Sequence, residues 1–244
     1  MSHARPVFLF TDFGYAGPYV GQMSGAILSR APGSPVINLM HDAPAMRPEL
    51  AAYLLSGCCR SLSPGSVVVA VVDPGVGGER AALMVETTRG LMLIGPDNGL
   101  LSRAQGITRV RRIDWRPESL SVSFHGRDLF APAAAMLIVG ESLACTAIAY
   151  EQMVGSGWPD DLSQIVYIDA FGNMMTGISA EKFNNNNRIK LSGHVIEYAE
   201  TFCKVPPGQL FWYRNSLGLV EISANRSSAA SMLSLALGDK ILLD

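Results

Sequence analysis

The chain has 244 residues, 48% of them hydrophobic, which is enough for one large domain or two modest ones with a buried core. Its 19 Lys and Arg residues nearly balance 21 Asp and Glu residues, giving a formal net charge of −2, and no run of basic residues occurs. This charge distribution argues against a nucleic acid as the main partner.

Features of an exported or membrane-bound protein are missing from the sequence. No basic region is followed by a signal-type apolar run near the first residue. The longest apolar stretch, near Ala131–Val139, is too short to cross a bilayer. The four cysteines lack Cys-x-x-Cys spacing, and adjacent Cys58 and Cys59 are poorly placed for a mutual disulfide, so we expect reduced thiols. These features predict a cytoplasmic protein without a membrane partner.

Short apolar runs alternate with helical patterns over roughly residues 6–145. Two of the apolar runs end just before Asp12 and Asp73, as expected for strands that deliver polar groups to the carboxyl edge of a sheet. The alternation predicts a layered α/β domain, residues 1–155, around a central, mostly parallel sheet. The predicted strands are 6–10, 35–39, 66–72, 82–87 and 91–94, and the predicted helices are 19–30, 47–60 and 128–143.

After the segment 155–159, which is rich in Gly and Pro, the pattern changes to short strands and turns. It predicts a smaller β-rich domain, residues 162–244, in which the Asn run 184–187 is a solvated loop or hairpin tip. The predicted strands of this domain are 164–169, 188–191, 194–198, 209–214 and 218–223.

Three rigid polar turns, 73–80, 95–101 and 123–132, suggest one assembled site. An Asp–Arg pair such as Asp73 with Arg80 holds both charges fixed, and His125 beside it can accept a proton near neutral pH. The alternative is structural: Asp73 caps a turn, Arg80 is solvated and His125 bonds a backbone carbonyl. Arg127 and Asp128 are expected to pair with each other at a helix start.

Other chemistries have weaker support in the sequence. The histidines are scattered, although a metal hydrolase built from Asp12, Asp42, Asp73 and Asp97 is conceivable. A phosphate-binding P-loop, a Rossmann glycine pattern and a Gly-x-Ser-x-Gly nucleophile are all absent, which argues against nucleotide phosphate binding and acyl transfer.

Five motifs occur in order along the chain: TDFG at 11–14, DPGVG at 73–77, GPDNG at 95–99, FHGRD at 124–128 and DAFGN at 169–173. With the segment NSLGLVEI at 215–222, they resemble the S-adenosyl-L-methionine (SAM) hydrolases, or SAM hydroxide adenosyltransferases, which are relatives of the SAM-dependent fluorinase and chlorinase. The resemblance implies an α/β domain followed by a β-barrel-like domain. It also implies a homotrimer with SAM sites between subunits, and no cofactor or metal, since SAM is the substrate.

The reaction implied by this resemblance is attack of water on the ribose C5′ of SAM, which yields adenosine and L-methionine. A sulfonium leaves as a neutral thioether, so the site needs an oriented, partly desolvated water rather than an acid for the leaving group. By resemblance, Asp73, Arg80 and His125 hold and activate that water. Whether His125 or the Asp73–Arg80 pair accepts the proton is open at this stage.

Substrate-binding roles also follow from the resemblance. Asp12 is expected to bind the ribose hydroxyls, because one carboxylate matches two vicinal donors. Asp169 is expected to contact the methionine amino group and Asn173 the nucleoside. The remaining implied binding residues are Phe124 and, near the methionine carboxylate or the adenine, Phe202, Ser216 and Arg226.

Two alternatives stay open from the sequence. One is a SAM-dependent halogenase, although a carboxylate at Asp73 would repel a halide. The other is a non-catalytic SAM- or adenosine-binding protein, because Gly177 stands where the family usually has Asn and Met46 where relatives often have an aromatic residue.

Overall fold

The computed structural model describes residues 5–243, which form two compact units, one up to Trp158 and one from Pro159. The outermost residues of the predicted domains, 1–4 and 244, lie outside the described residues. The elements of the first unit are strands β1 (Val7–Thr11), β2 (Val36–Met40), β3 (Val67–Val71), β4 (Ala82–Thr87), β5 (Met92–Pro96), β6 (Ile107–Ile113) and β7 (Cys145–Ile148), and helices α1 (Tyr19–Arg30), α2 (Pro48–Cys59) and α3 (Ala131–Val139).

A seven-stranded sheet in the order β2-β1-β3-β5-β4-β6-β7 forms the centre of this unit. The neighbours among β2, β1, β3 and β5 are parallel, whereas β4, β6 and β7 continue the sheet with antiparallel pairings. Thr11 at the end of β1 is in register with Val71 at the end of β3. The residues that follow these strands, Asp12 and Asp73, therefore emerge side by side at the carboxyl edge of the sheet.

The strand β3 is buried along its whole length, which explains its wholly apolar sequence of four valines and one alanine. Helices α1 and α3 pack in one apolar cluster with alternate strand residues such as Leu9 and Val69. Small side chains on α3, among them Ala131 and Ala134, are fully buried in that cluster. Burial of this apolar surface is the main stabilising term, and it fixes the loops at the strand ends.

The structure differs from the predicted elements at several places. The helix predicted over 128–143 begins as a π-helical turn, Gly126–Phe130, and its α-helical part ends at Val139. Gly140 stops it by adopting a left-handed φ of 76°. The strands β6 and β7 were not predicted, because exposed arginines interrupt the apolar pattern of β6 and β7 is a short strand at the sheet edge.

Short strands make up most of the described part of the second unit. Its elements are β8 (Leu162–Ile168), β9 (Met174–Ser179), β10 (Ile189–Leu191), β11 (His194–Ile196), β12 (Leu210–Arg214), β13 (Leu219–Ala224), α4 (Ala229–Leu233) and β14 (Leu242–Leu243). A four-stranded sheet has the order β12-β13-β9-β8, and a three-stranded sheet has the order β11-β10-β14. The strands β9 and β14 and the helix α4 were not predicted.

Two isolated bridges connect these sheets into a closed, barrel-like arrangement. Gln164 of β8 pairs with Lys240 before β14, and Tyr198 after β11 pairs with Trp212 of β12. The fully buried Trp212 lies in the apolar cluster that fills the interior. The predicted fold class, an α/β domain followed by a smaller barrel-like β domain, is confirmed.

No helix within residues 5–243 combines the length and the apolar character that a membrane span requires.

Candidate active site

Asp73 and Arg80 form a buried ion pair in the loop between β3 and β4. Arg80 Nε lies 2.9 Å from each carboxylate oxygen of Asp73, and Arg80 Nη2 also donates to Asp73 Oδ2. The two side chains are only 4% (Asp73) and 10% (Arg80) exposed. The pairing expected from the sequence is therefore confirmed, and its several hydrogen bonds are what a buried pair of charges requires.

His125 completes a continuous hydrogen-bonded chain with this pair. Its Nδ1 lies 2.9 Å from Arg80 Nη2. A guanidinium only donates, so Nδ1 is the acceptor and the proton of the neutral imidazole is on Nε2. Burial lowers the pKa of His125, and the positive charge of Arg80 lowers it further. The site thus holds a neutral His125 with an Nε2–H donor.

Close backbone packing fixes the two turns that carry these residues. A Cβ on Gly77, which has φ of +80°, would lie 2.4 Å from the carbonyl oxygen of Val122. The turn after Asp73 is thereby pressed against the segment that leads to His125. The ring of buried Phe130 lies beneath Arg80, with 5.3 Å from the guanidinium carbon to the ring centroid.

Asp12 follows β1 and is oriented by the backbone of another loop. Its Oδ2 accepts a hydrogen bond of 2.9 Å from the N–H of Met46, a residue with φ of 56°. Burial raises the pKa of Asp12, and the nearby charge of Asp73 adds to this effect. Met46 therefore acts on Asp12 through its main chain, while its side chain is exposed.

Phe124 belongs to an aromatic cluster beside the same sheet edge. Its ring lies 5.9 Å from that of Phe13 and 5.4 Å from that of Tyr19, both edge to face. Arg127 packs over Phe124 and makes two hydrogen bonds to Asp128. The expected Arg127–Asp128 pair is confirmed.

The turn at 95–101 serves the scaffold. Asp97 accepts a hydrogen bond of 2.9 Å from the N–H of Val154, and Asn98 donates one of 2.8 Å to the carbonyl of Val72, next to Asp73. Of the three polar turns, two supply the Asp73–Arg80–His125 chain, and this third one supports the end of β3 through Asn98.

In the second unit, Asp169 and Asn173 form a closed local turn. Asp169 Oδ1 accepts from the N–H groups of Phe171 and Asn173, each at 2.9 Å, and Asp169 Oδ2 accepts from Asn173 Nδ2 at 2.8 Å. These bonds hold the motif's shape and leave the ring of Phe171 exposed.

The other implied binding residues of this unit lie on turns. Ser216 is exposed in the turn between β12 and β13, and Arg226 is exposed after β13 with φ of 56°. Phe202 opens a 3₁₀ turn, and its ring lies 5.1 Å from Phe211 and 5.6 Å from Tyr213.

Gly177 has a packing role in β9. A Cβ at this position would lie 2.6 Å from the Cβ of Leu162 on the paired strand β8. The absence of a side chain at 177 is thus explained by strand packing.

Sequence reasoning missed Phe130 under Arg80 and also the buried Glu221, which binds Tyr213 and Asn215. An available signal for Glu221 was a carboxylate within the apolar run 219–222.

The described part of the chain, residues 5–243, contains no group of three or more His, Cys, Asp or Glu side chains arranged to hold a metal ion. Asp12, Asp42, Asp73 and Asp97 thus do not form the cluster that a metal hydrolase would need.

The two units match the two domains of one class of SAM-processing proteins. Family models describe both parts: the SAM hydroxide adenosyltransferase N-terminal domain matches residues 7–147, and the C-terminal domain matches residues 163–242. The chain belongs to the SAM hydroxide adenosyltransferase family.

Similar proteins cover nearly its whole length. It is 34% identical to a protein of Thermus thermophilus named (R)-S-adenosyl-L-methionine hydrolase, over 98% of this chain and 99% of that one. A protein of the same name from Salinispora arenicola is 35% identical, over 95% of this chain and 94% of that one. A crystal structure of a conserved hypothetical protein from Thermus thermophilus superposes with a TM-score of 0.79 at 33% identity, covering 98% of this chain and all of that one.

Proposed function

We propose that this protein hydrolyses SAM to adenosine and L-methionine. The observation that carries the proposal is the buried, continuous chain Asp73–Arg80–His125 at the carboxyl edge of the sheet. Relatives that match almost all of the chain at 34% and 35% identity carry the name of this hydrolase. In the reaction, water oxygen bonds to C5′, the C5′–S bond breaks with its electron pair going to sulfur, and one proton is released.

Each residue of the hydrogen-bonded set Asp73–Arg80–His125 has a role that its hydrogen bonds suggest. Because Nδ1 of neutral His125 is occupied by Arg80, its Nε2–H can donate to the oxygen of the attacking water. Asp73 is the member with lone pairs free to accept the water's proton, since a carboxylate can accept more bonds than the three from Arg80. Arg80 stabilises the hydroxide character that develops on the water.

Water is favoured over a halide by the same residues. Asp73 balances the charge of Arg80, and His125 is neutral, so the three side chains together carry no net positive charge to hold an anion. A chloride ion would also meet the carboxylates of Asp12 and Asp73 at this sheet edge.

Asp12 is proposed to bind the ribose hydroxyls, with its carboxylate oriented by Met46. Asp169 and Asn173, with Phe124, Phe202, Ser216 and Arg226, are proposed to bind the rest of SAM.

We also propose a cytoplasmic homotrimer, with sites between subunits and no cofactor besides the substrate. The exposed apolar side chains of Tyr15, Tyr19 and Met46 near Asp12 support a surface that substrate or a neighbouring subunit covers.

The test is incubation of the purified protein with SAM, followed by chromatography of adenosine and methionine. Both configurations at the sulfonium should be supplied, because the relatives' names specify R. His125→Ala should lower the rate by at least about 100-fold, the usual range for loss of a positioned proton-handling group. His194→Ala, which changes an exposed histidine on β11, is the matched control and should be unaffected.

Three results would contradict the proposal. Tight SAM binding without adenosine formation, in wild type and His125→Ala alike, would indicate a binding protein. Adenosine formation by His125→Ala at the wild-type rate would contradict the role given to His125. A chlorinated nucleoside formed in the presence of chloride would indicate a halogenase.

A further inference from the structure

Glu221 is a buried carboxylate whose hydrogen-bond donors are neutral groups. It is 2% exposed on β13, directly opposite Tyr213 of β12. The Tyr213 hydroxyl donates to Oε1 at 2.6 Å, and Asn215 Nδ2 donates to Oε2 at 2.8 Å. Burial raises the pKa of Glu221, and the negative charge of Asp169 raises it further, against the lowering effect of hydrogen bonds from Tyr213, Asn215 and Ser223. A carboxylate buried at this cost points to a role beyond packing.

Through Asn215, Glu221 determines the shape of the turn that presents Ser216. Asn215 Oδ1 accepts from the N–H groups of Leu217 at 3.0 Å and Leu219 at 2.9 Å. The acceptor end of the amide is thereby fixed toward the turn, so its donor end must face an acceptor, which Glu221 supplies. A flipped amide would break all three bonds.

Through Tyr213, Glu221 also fixes an aromatic surface. The hydroxyl bond holds the ring of Tyr213, which contacts Phe202 at a centroid distance of 5.6 Å and Phe211 at the same distance. Phe202 begins the 3₁₀ turn Phe202–Lys204. One carboxylate is therefore linked to the turn of Ser216 and to the ring of Phe202.

We infer that Glu221 is a positioning residue that orients Ser216 and Phe202 for binding of SAM. This inference rests on the proposed function. It assigns Glu221 no contact with the reacting atoms, so its removal should weaken substrate binding and leave the chemical step largely intact.

The test compares three variants with wild type in SAM turnover and in SAM binding by calorimetry. Glu221→Ala removes the acceptor of the Tyr213 hydroxyl and of the buried Asn215 amide, and it should raise KM and Kd about tenfold or more, with kcat within about threefold. Glu221→Gln should restore both constants, because its amide oxygen can accept from Asn215 while its nitrogen donates to the Tyr213 oxygen.

Thr176→Val is the matched control. Thr176 is buried in β9 and donates to the carbonyl of Val220 at 2.8 Å, so this variant loses a buried hydrogen bond of the same sheet. It should lower the melting temperature without changing KM. If Glu221→Ala fails to fold, Asn215→Ala removes the hydrogen bond between Asn215 and Glu221 by changing the other partner, and it should raise KM similarly.

The inference is overturned if KM and Kd of folded Glu221→Ala or Asn215→Ala match those of Thr176→Val, or if Glu221→Gln is as impaired as Glu221→Ala. A wild type that binds SAM without turnover contradicts the proposed function alone, and the Kd values then decide the role of Glu221. A wild type that neither binds nor turns over SAM overturns both.

Discussion

Replacing either member of the Asp73–Arg80 pair should destabilise the protein far more than replacing both. Arg80→Met leaves the Asp73 carboxylate, 4% exposed, without its guanidinium partner, and Asp73→Leu does the converse to Arg80, 10% exposed. Removing one partner of a buried pair typically costs about 3–5 kcal/mol, whereas an apolar pair of similar volume is often nearly neutral. The double variant should therefore recover about 3 kcal/mol or more relative to the sum of the single variants.

The assay is a double-mutant cycle from urea unfolding at one fixed protein concentration, because association of subunits would shift apparent stability. For a chain of this size, about 3 kcal/mol corresponds to a fall of about 6–12 °C in Tm for each single variant. The Arg127–Asp128 pair is the matched control. Arg127 is 36% exposed and Asp128 is 16% exposed, so the coupling energy of this pair should be smaller than that of the buried pair.

Additive effects of Asp73→Leu and Arg80→Met, within about 0.5 kcal/mol, would refute this reasoning. The reasoning would also be refuted if each single variant lowered the free energy of unfolding by less than about 1 kcal/mol, which is the value typical of a solvent-screened surface pair.

Three further outcomes are expected. Gly77→Ala should lower turnover and Tm together, because its Cβ would lie 2.4 Å from the carbonyl oxygen of Val122 at a φ of +80°, displacing the turns of Arg80 and His125. The His125 ring, followed by NMR and assigned with His125→Ala, should titrate below its ordinary pKa of 6.5, so that kcat/KM persists as pH falls past 6.5 and declines only when Nδ1 is protonated. Glu221→Gln should gain stability over wild type as pH rises from 4.5 through the raised pKa of Glu221, since the wild type must then bury a charge; urea midpoints at several pH values measure this.

Each of these outcomes has a control or a contradicting result. Gly75→Ala, where a Cβ meets nothing closer than 3.9 Å, should be milder than Gly77→Ala, and equal effects would contradict the packing explanation. A His125 titration at or above 6.5 would contradict the neutral imidazole. A stability difference between Glu221→Gln and wild type that is independent of pH would contradict the raised pKa.

Local sequence patterns predicted most elements of the first unit. The helix α1 was predicted with its observed bounds, 19–30, and β3 to within one residue at each end, because their burial imposes a clear periodicity or an unbroken apolar run. The strand β6 was missed because three of its seven residues, Arg109, Arg111 and Arg112, are charged and break the apolar signal. The helix end at Val139 was misplaced, since the left-handed turn at Gly140 was not recognised as a C-cap.

The residues of the candidate site could be predicted from the sequence, but the contacts between them could not. Sequence reasoning singled out Asp73, Arg80 and His125, and the ordered motifs indicated the family. It could not show that Arg80 reaches His125, because these residues are 45 positions apart in the sequence and are brought together by the packing of π-helical turn, helix and sheet. It also grouped the turn of Asp97 with the other polar turns, whereas hydrogen bonding assigns that turn to the scaffold.

The sequence by itself determined the two-domain class, the strand ends that carry Asp12 and Asp73, and membership of the family, because these depend on local periodicity and on ordered motifs. Only the tertiary structure showed which side chains are hydrogen-bond partners. The acceptor role of His125 Nδ1 and the buried connection from Glu221 to Asn215 and Tyr213 arise from contacts across strands and loops. Hydrogen-bond direction and burial are set by those contacts, and no spacing along the chain encodes them.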